Sequence, residues 1–352
     1  MSRIFESKGI AEPCLIYVDF ILKEFENKLE EFISLDSEKM EVSNTYDEKD
    51  LSILISNWYW KDFPISSMDI KFMMSEMDEK DFMKKFPQKK SPIKKMFRTG
   101  GGCYTIGPEE DGGSYTKKDE WGDTSIHLSL ELDLYMIKGF SNIKKIMIDV
   151  ESLILHELNH GYESWKRFEK EKGQKSIDLT YALDIKPKRV SKDIFKYWND
   201  SIAFYLYWSE EHEIRAMVQE SLPYVKKYGV EKMKRECPSW SASSDMIEFR
   251  SDKFKSEISD LIKLKYGNKV NPDALLTRIK NSLANKLIEE RGLSKESKID
   301  APSILGEKIK SMSLDKFLEF SQRRINSAGE KLRRRILRLY SLKNKETDEI
   351  IF

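Results

Sequence analysis

The stretch "SIHLSLELDLYMIKGFSNIKKIMIDVESLILHELNHGYESW", residues 125–165, contains a change of hydrophobic period that decides the fold. Between residues 126 and 134, apolar side chains alternate strictly with polar ones, which is typical of a β-strand with one buried face. From residue 143 onward the apolar side chains recur every three or four positions. That period predicts an amphipathic helix beginning near Ser141 or Asn142. The sequence therefore predicts a strand that leads directly into a helix.

Two of the four histidines in the chain, His156 and His160, lie on this helix, and Glu157 follows the first of them. Residues four apart lie on the same face of a helix, so both imidazoles can reach one zinc ion at about 2.0–2.1 Å. The side chain of Glu157 points about 100° further round the helix, where it can accept a proton from metal-bound water. HELNH is thus an HExxH pattern. The alternative is an ordinary helix whose histidines bind no metal.

A zinc site that keeps an open position needs a third protein ligand. The metzincin pattern would place a third histidine shortly after the second, and "HGYESWKRFE" (160–169) has none. Here the chain resembles the gluzincin branch of the zincin metallopeptidases, in which a glutamate on a downstream helix precedes a small residue by three positions. In "SEEHEIRAMVQE" (209–220), Glu213 followed by Ala216 fits that pattern. Glu210, almost one turn earlier, is the alternative ligand.

The resemblance implies a zinc metallopeptidase that holds Zn²⁺ through His156, His160 and Glu213. Glu157 would assist the attack of zinc-bound water on a peptide bond and then pass the proton to the leaving amine. The substrate would be a protein or peptide. Four residues near the third ligand are candidates for stabilising the oxyanion: Tyr205, Tyr207, His212 and Arg215. The two tyrosines also belong to an aromatic stripe of the kind that forms a core.

The resemblance also assigns a role to the strand at 125–134. It would be a sheet-edge strand beside the cleft, to which an extended substrate adds as a further strand. The polar face of this strand, with His127, Ser129 and Glu131, would then line the cleft. The alternative is that these side chains face water.

The match to the gluzincins is incomplete, and it covers only residues 125–221. Some gluzincins orient a ligating histidine with an aspartate one turn after the third ligand, and here that position is Met217. The groups that orient the two histidines therefore cannot be named from the sequence. This leaves a second function open: a non-catalytic zinc-binding structural or assembly protein, such as a virion component, that retains the zincin fold. Short zincins of this kind also resemble proteins encoded by bacteriophages and mobile elements.

The order of periodic segments predicts an α+β fold. Its core would be zincin-like, with a small sheet whose edge strand packs on the HExxH helix and with a third-ligand helix. A shift toward charged, helical sequence near residue 240 predicts a boundary. We expect a metallopeptidase domain at 1–240, including an N-terminal α/β part, and a helical, charged region at 241–352.

Composition excludes several classes of protein. The three cysteines are far apart in sequence, which does not fit a disulfide framework or a thiolate zinc site. The apolar run Leu15–Leu22 is interrupted by Asp19 and does not read as a signal peptide. No segment approaches the ~20 apolar residues that span a bilayer. We expect a cytoplasmic protein, or a virion-associated one if a phage encodes it, that does not associate with membranes.

Charge gives one further candidate partner. The formal net charge of +1 gives no overall reason to expect nucleic acid. The segment "KLRRRILRLYSLK" (331–343) nevertheless contains six basic residues with leucines between them, which would suit nucleic acid or an acidic partner. We favour the alternative, a charged helix packed by its leucines onto neighbouring helices.

Overall fold

The computed structural model describes most of the chain and shows an α+β protein with a small mixed sheet and many helices. The chain divides by its contacts into two compact units, Met1–Lys170 with Gln219–Lys227, and Glu171–Val218 with Tyr228–Phe352. The described residues are 12–35, 37–47, 49–51, 65–86, 96–106, 126–140, 142–171, 190–289 and 301–349.

The first unit holds the sheet. Its elements in chain order are α1 (Glu12–Ser34), β1 (Lys39–Tyr46), β2 (Ile65–Met77), α2 (Glu79–Lys85), β3 (Phe97–Ile106), β4 (Ile126–Ile137) and α3 (Ile143–Glu171). The four strands are ordered β1-β2-β4-β3. Strands β2 and β4 are parallel, and the two outer strands run antiparallel to their neighbours.

Strand β4 is the predicted alternating strand, and its leucines are buried as expected. It lies between β2 and β3, however, and is hydrogen-bonded along both sides. The expectation that this strand forms the sheet edge is therefore wrong. Among the described strands, the edge next to β4 is β3, which contains the glycine run Gly100–Gly102.

Helix α3 carries the HELNH motif and begins as the sequence predicts. The side chain of Asn142 caps it, because its Oδ1 accepts a hydrogen bond from the backbone N–H of Lys145 at 3.1 Å. Its buried side chains, Ile146, Val150, Ile154 and Leu158, recur every four residues. Gly101 in β3 lets this helix approach the sheet: a Cβ there would lie 2.8 Å from the carbonyl oxygen of Glu131 and 3.2 Å from Cδ2 of Leu153.

The second unit is helical. Its elements are α4 (Lys192–Trp198), a π-helical turn (Asn199–Ala203), α5 (Phe204–Trp208), α6 (Glu211–Glu220), α8 (Val230–Glu236), α9 (Pro238–Ile247), α10 (Ser251–Tyr266), α11 (Pro272–Glu289), α12 (Ala301–Ser311) and α13 (Leu314–Glu349). The last two residues of α6 cluster with the first unit, as does α7 (Leu222–Lys227).

An aromatic cluster forms the core of the second unit. The indole of Trp198 is fully buried, stacks on Phe317 with ring centroids 6.2 Å apart, and meets Phe254 edge-on. Gly329 allows α13 to pack closely on α9, because a Cβ there would lie 2.8 Å from Cβ of Met246. The aromatic segment before the third-ligand helix therefore belongs largely to this core.

Several expectations meet the structure only in part. The two units divide within the helical segments around 170, 218 and 227; the domain boundary near residue 240 stays a prediction. The segment before the end of α6 is not one continuous α-helix, because it contains the π-helical turn and a break at Ser209 and Glu210. Among the described residues, no helix is long and apolar enough to cross a membrane.

Candidate metal centre

The two histidines of the motif face each other on α3. Their Nε2 atoms are 3.1 Å apart, and their ring centroids are separated by 4.8 Å. Two nitrogens bound to one tetrahedral zinc at about 2.0–2.1 Å would be ~3.4 Å apart. The pair is therefore close to the spacing at which both Nε2 lone pairs meet one ion.

The C-terminal end of α6 and the helix that follows it are joined to α3 by three contacts inside the first unit. The hydroxyl of Tyr224 donates to the carboxylate of Asp149. One turn along, the hydroxyl of Ser152 donates to the backbone carbonyl of Glu220 at 2.7 Å. The carboxylate of Glu220 then lies 3.3 Å from Nδ1 of His156. Along these contacts residue numbers rise in α3 and fall in the other segment, so the two helical segments run antiparallel.

Glu213 lies in the first turn of α6. Glu213 lies seven residues before Glu220, which is about 10.5 Å along the axis and within about 20° of the same helix face. The ligand atoms of His156, His160 and Glu213 all lie within 4.8 Å of one another. Among the described residues, these three therefore form a group that can hold a metal ion.

Burial makes a cation the natural partner of Glu213. The residue is only 1% exposed, and a carboxylate removed from water is costly unless opposite charge or hydrogen-bond donors compensate it. It also lies in the first turn of α6, where the partial positive charge of the helix N-terminus favours a negative side chain. A carboxylate oxygen and two imidazole nitrogens are thus grouped together.

Glu157, the predicted general base, is 8% exposed and lies on α3 between the two histidines. Helical geometry turns its side chain about 100° from that of His156. It does not belong to the group of three ligand atoms. A buried carboxylate that borders a metal site without binding in it is suited to proton transfer.

Glu210, the alternative ligand, forms an ion pair with an arginine. Its carboxylate pairs with Nη2 of Arg324 in α13, and Nε of the same guanidinium donates to the hydroxyl of Ser209 at 2.7 Å. One arginine thereby holds both residues of the break that precedes α6. The sequence offers no signal for this contact, since Arg324 is 114 residues from Glu210.

The basic segment of α13 makes further contacts with the start of α6, in addition to those of Arg324. Lys331 and Arg335 both contact the carboxylate of Glu211. Burial raises the pKa of Glu211, but the hydrogen bonds from the two cations outweigh burial and leave the pKa below its ordinary value. Arg333 donates to Ser244 at 2.7 Å. Lys331, Arg333 and Arg335 thus each contact a residue of another helix; binding of nucleic acid or an acidic partner stays a prediction.

The four oxyanion candidates lie in different surroundings. Nε2 of His212 is 3.5 Å from Oε1 of Glu213, and the ring of Tyr207 meets His212 edge-on. Tyr205 packs against the aromatic core, and burial raises its pKa to about 12. Arg215 is half exposed and bonds to Glu211 on its own helix. His212, with Tyr207 beside it, therefore lies next to Glu213, one of the three candidate metal ligands.

The polar face of β4 does not lie on the side of the motif helix. Gly101 pairs with Leu132, and both lie against Leu153 of α3, so the leucine face is the one that meets the helix. His127, Ser129 and Glu131 alternate with the leucines and point to the opposite face. That these three residues line a substrate cleft stays a prediction. The ring of His127 is instead held between Ser67 (2.8 Å) and Asp69 (3.0 Å) of β2.

Sequence reasoning missed Glu220, the carboxylate behind His156. A signal for it exists, because a residue seven positions after Glu213 returns to the same face of the helix. The pattern of the gluzincins directed attention to the position four residues after the ligand, which is Met217.

Comparison with protein-family models, with curated proteins and with solved structures found no significant match to this chain. The case for a function therefore depends on the residues and their geometry.

Proposed function

We propose that this protein is a zinc-dependent metallopeptidase of the zincin type, with His156, His160 and Glu213 as the metal ligands and Glu157 as the general base. One observation carries the proposal: the ligand atoms of these three residues lie within 4.8 Å of one another, although Glu213 is more than fifty residues from the histidines in sequence. The small sheet followed by α3, together with α6, is what we interpret as the zincin-like core.

The donor set fits zinc better than other common ions. Two imidazole nitrogens and one carboxylate oxygen are the ligands of many catalytic zinc sites, and three protein ligands leave one position open. Calcium and magnesium prefer six or more oxygen ligands. When bound, zinc supplies Lewis-acid chemistry, because it acidifies water and polarises a carbonyl group.

The residues of this chain would share the remaining work. Glu157 would accept the proton from the attacking water and return it to the amine of the departing product. His212 would donate a hydrogen bond to the oxygen that becomes negative, since it lies next to Glu213. The hydrophobic surroundings of α3 would keep bulk water from competing for that proton.

A peptide substrate is favoured over other substrates by the edge of the sheet. Of the strands that the structure describes, β3 lies at the edge on the side of β4, and its Gly101 contacts α3 at Leu153, one turn before His156. An extended peptide can add to such an edge through backbone hydrogen bonds. The glycines of β3 would leave this edge without bulky side chains.

Zinc content and peptide cleavage by matched variants test the proposal. Purified protein should contain about one zinc ion per chain. Glu157→Gln should retain zinc and lose cleavage of a quenched fluorescent peptide library, because the amide cannot accept the proton. Glu213→Ala should lose the metal, while Glu210→Ala, the matched control, should keep it.

The outcomes separate the two functions that the sequence leaves open. Cleavage that disappears in Glu157→Gln and returns with zinc after metal removal supports the metallopeptidase. Zinc that binds to wild type and Glu157→Gln alike, with no cleavage by either, favours a structural or assembly protein. Protein purified without chelator that contains no metal and takes up none refutes both.

A further inference from the structure

The carboxylate of Glu220 lies directly behind one of the proposed metal ligands. Its Oε2 is 3.3 Å from Nδ1 of His156, on the side of the ring away from His160. Both side chains are largely buried, with 16% and 18% of their surface exposed. A contact between a carboxylate and a histidine in such surroundings is not screened as a surface pair is.

The geometry decides which nitrogen of His156 can bind a metal. Its Nε2 faces Nε2 of His160 at 3.1 Å, so the metal-binding lone pair belongs on Nε2. A neutral imidazole then carries its proton on Nδ1, the nitrogen that lies 3.3 Å from the carboxylate of Glu220. Ligating histidines generally donate their second ring N–H to such an acceptor, which sets the tautomer and the ring orientation.

We propose that Glu220 is a positioning residue for the metal centre, which fixes the tautomer and orientation of His156. The inference depends on the metal site of the proposed function but not on peptide cleavage. In this chain the orienting carboxylate would lie two turns after the third ligand on α6, whereas the position one turn after it is Met217.

The backbone around Glu220 keeps that carboxylate in place. The hydroxyl of Ser152, one turn before His156 on α3, donates to the carbonyl oxygen of Glu220 at 2.7 Å. The hydroxyl of Tyr224 bonds to Asp149 one turn further away. These contacts set the rotation of α6 about its axis, and seven-residue spacing then directs Glu213 and Glu220 to the same side.

The test measures zinc affinity and the histidine tautomer in the full-length chain. We would compare wild type, Glu220→Ala and Glu220→Gln with Glu231→Ala, a matched control whose carboxylate is 80% exposed. The zinc Kd would come from competition between metal-free protein and a chromophoric chelator. Long-range ¹H–¹⁵N NMR of protein labelled at histidine would identify the protonated ring nitrogen of His156.

We expect zinc Kd to rise 10- to 100-fold in Glu220→Ala, the range for loss of a group that orients a metal ligand. Glu220→Gln should give a smaller rise, because the amide oxygen still accepts a hydrogen bond but lacks the charge. The control should bind zinc as wild type does. In zinc-loaded wild type, Nδ1 of His156 should carry the proton. In metal-free Glu220→Ala, the ring should show a larger fraction of the Nε2–H tautomer.

Two results would overturn the inference. One is a zinc Kd in Glu220→Ala equal to that of wild type; the other is a His156 ring that binds zinc through Nδ1. Where Glu220→Ala does not fold, Glu220→Gln decides, since it preserves side-chain volume; an unchanged Kd there also overturns the inference.

Failure of this inference is distinguishable from failure of the proposed function. Unchanged zinc affinity in folded Glu220 variants, with cleavage that still depends on Glu157, removes the positioning role and leaves the peptidase. Weakened zinc binding in those variants, with no cleavage by wild type, leaves the positioning role and removes the peptidase. A wild-type chain that binds no zinc removes both.

Discussion

Substitution of Arg324 tests how the start of α6 is anchored. Together with variants of Glu210 and Glu213, it also tests the proposed assignment of the metal ligand. Its guanidinium donates to the hydroxyl of Ser209 at 2.7 Å and pairs with the carboxylate of Glu210. The substitution Arg324→Met removes both interactions and keeps most of the apolar stem. Glu210→Gln removes the charge of the partner with almost no change in volume.

The expected cost follows from the burial of the pair. The Arg324 side chain is 29% exposed and that of Glu210 is 10% exposed. Removing one partner of a fully buried pair costs about 3–5 kcal/mol, and a hydrogen bond to a charged group contributes about 1.5–3 kcal/mol. Because the pair is partly exposed, we expect Arg324→Met to lower the free energy of unfolding by about 3 kcal/mol, the lower end of the range for a buried pair. The coupling energy between the two substitutions should be about 1–2 kcal/mol.

The assay is urea denaturation of metal-free wild type, both single variants and the double variant, followed by zinc titration of each. If Glu210 is a structural partner, Glu210→Gln should bind zinc within a few-fold of wild type. Glu213→Gln should bind it on the order of 100-fold more weakly, since four-ligand sites bind with about 10–16 kcal/mol in total. A coupling energy near zero would refute a stabilising interaction between Arg324 and Glu210. Loss of zinc in Glu210→Gln with zinc retained in Glu213→Gln would refute the ligand assignment.

The remaining predictions concern packing and charge. Gly101→Ala should destabilise the protein by about 1–3 kcal/mol in thermal or urea unfolding, because its Cβ would lie 2.8 Å from a backbone oxygen; Gly102→Ala, which meets nothing within 4 Å, is the control. Equal stability of the two variants would contradict the close packing of β4 and α3 around Gly101. Trp198→Ala should cost about 3–5 kcal/mol, because the indole is fully buried, and a cost below about 1 kcal/mol would contradict its place in the core. The folded pKa of Glu211 is lowered below its ordinary 4.5, so its contribution is present above that value and is lost as the pH falls through the folded pKa. Unfolding measured across that acidic range should show a weaker pH dependence in Glu211→Gln than in wild type, and identical curves would argue against the contact with α13.

Local features of this fold are predictable from sequence because they depend on neighbours along the chain. The alternation of β4, the four-residue period of α3 and the cap at Asn142 each arise from residues within a few positions of one another. The helical spacing of His156 and His160 likewise brings their Nε2 atoms together without help from the rest of the chain.

Features that depend on strand order and on the packing of distant helices were not predictable in this way. The run at Gly100–Gly102 forms part of β3, although glycine is found in loops far more often than in strands. Strand β4 was expected at the edge, since its sequence does not reveal that β3 pairs along its other side. The interruption at Ser209 was missed because its partner, Arg324, lies far away in sequence.

The sequence by itself determined which helix carries two imidazoles at metal-binding spacing, and it placed a carboxylate followed by a small residue on a later helix. Only the tertiary structure shows that Glu210 pairs with Arg324, and that a ligand atom of Glu213 lies within 4.8 Å of those of the two histidines. It also supplied Glu220 as the group behind His156. The physical reason is that helical period specifies a face within one element, whereas the rotation of one helix against another is set by contacts between residues far apart in the chain.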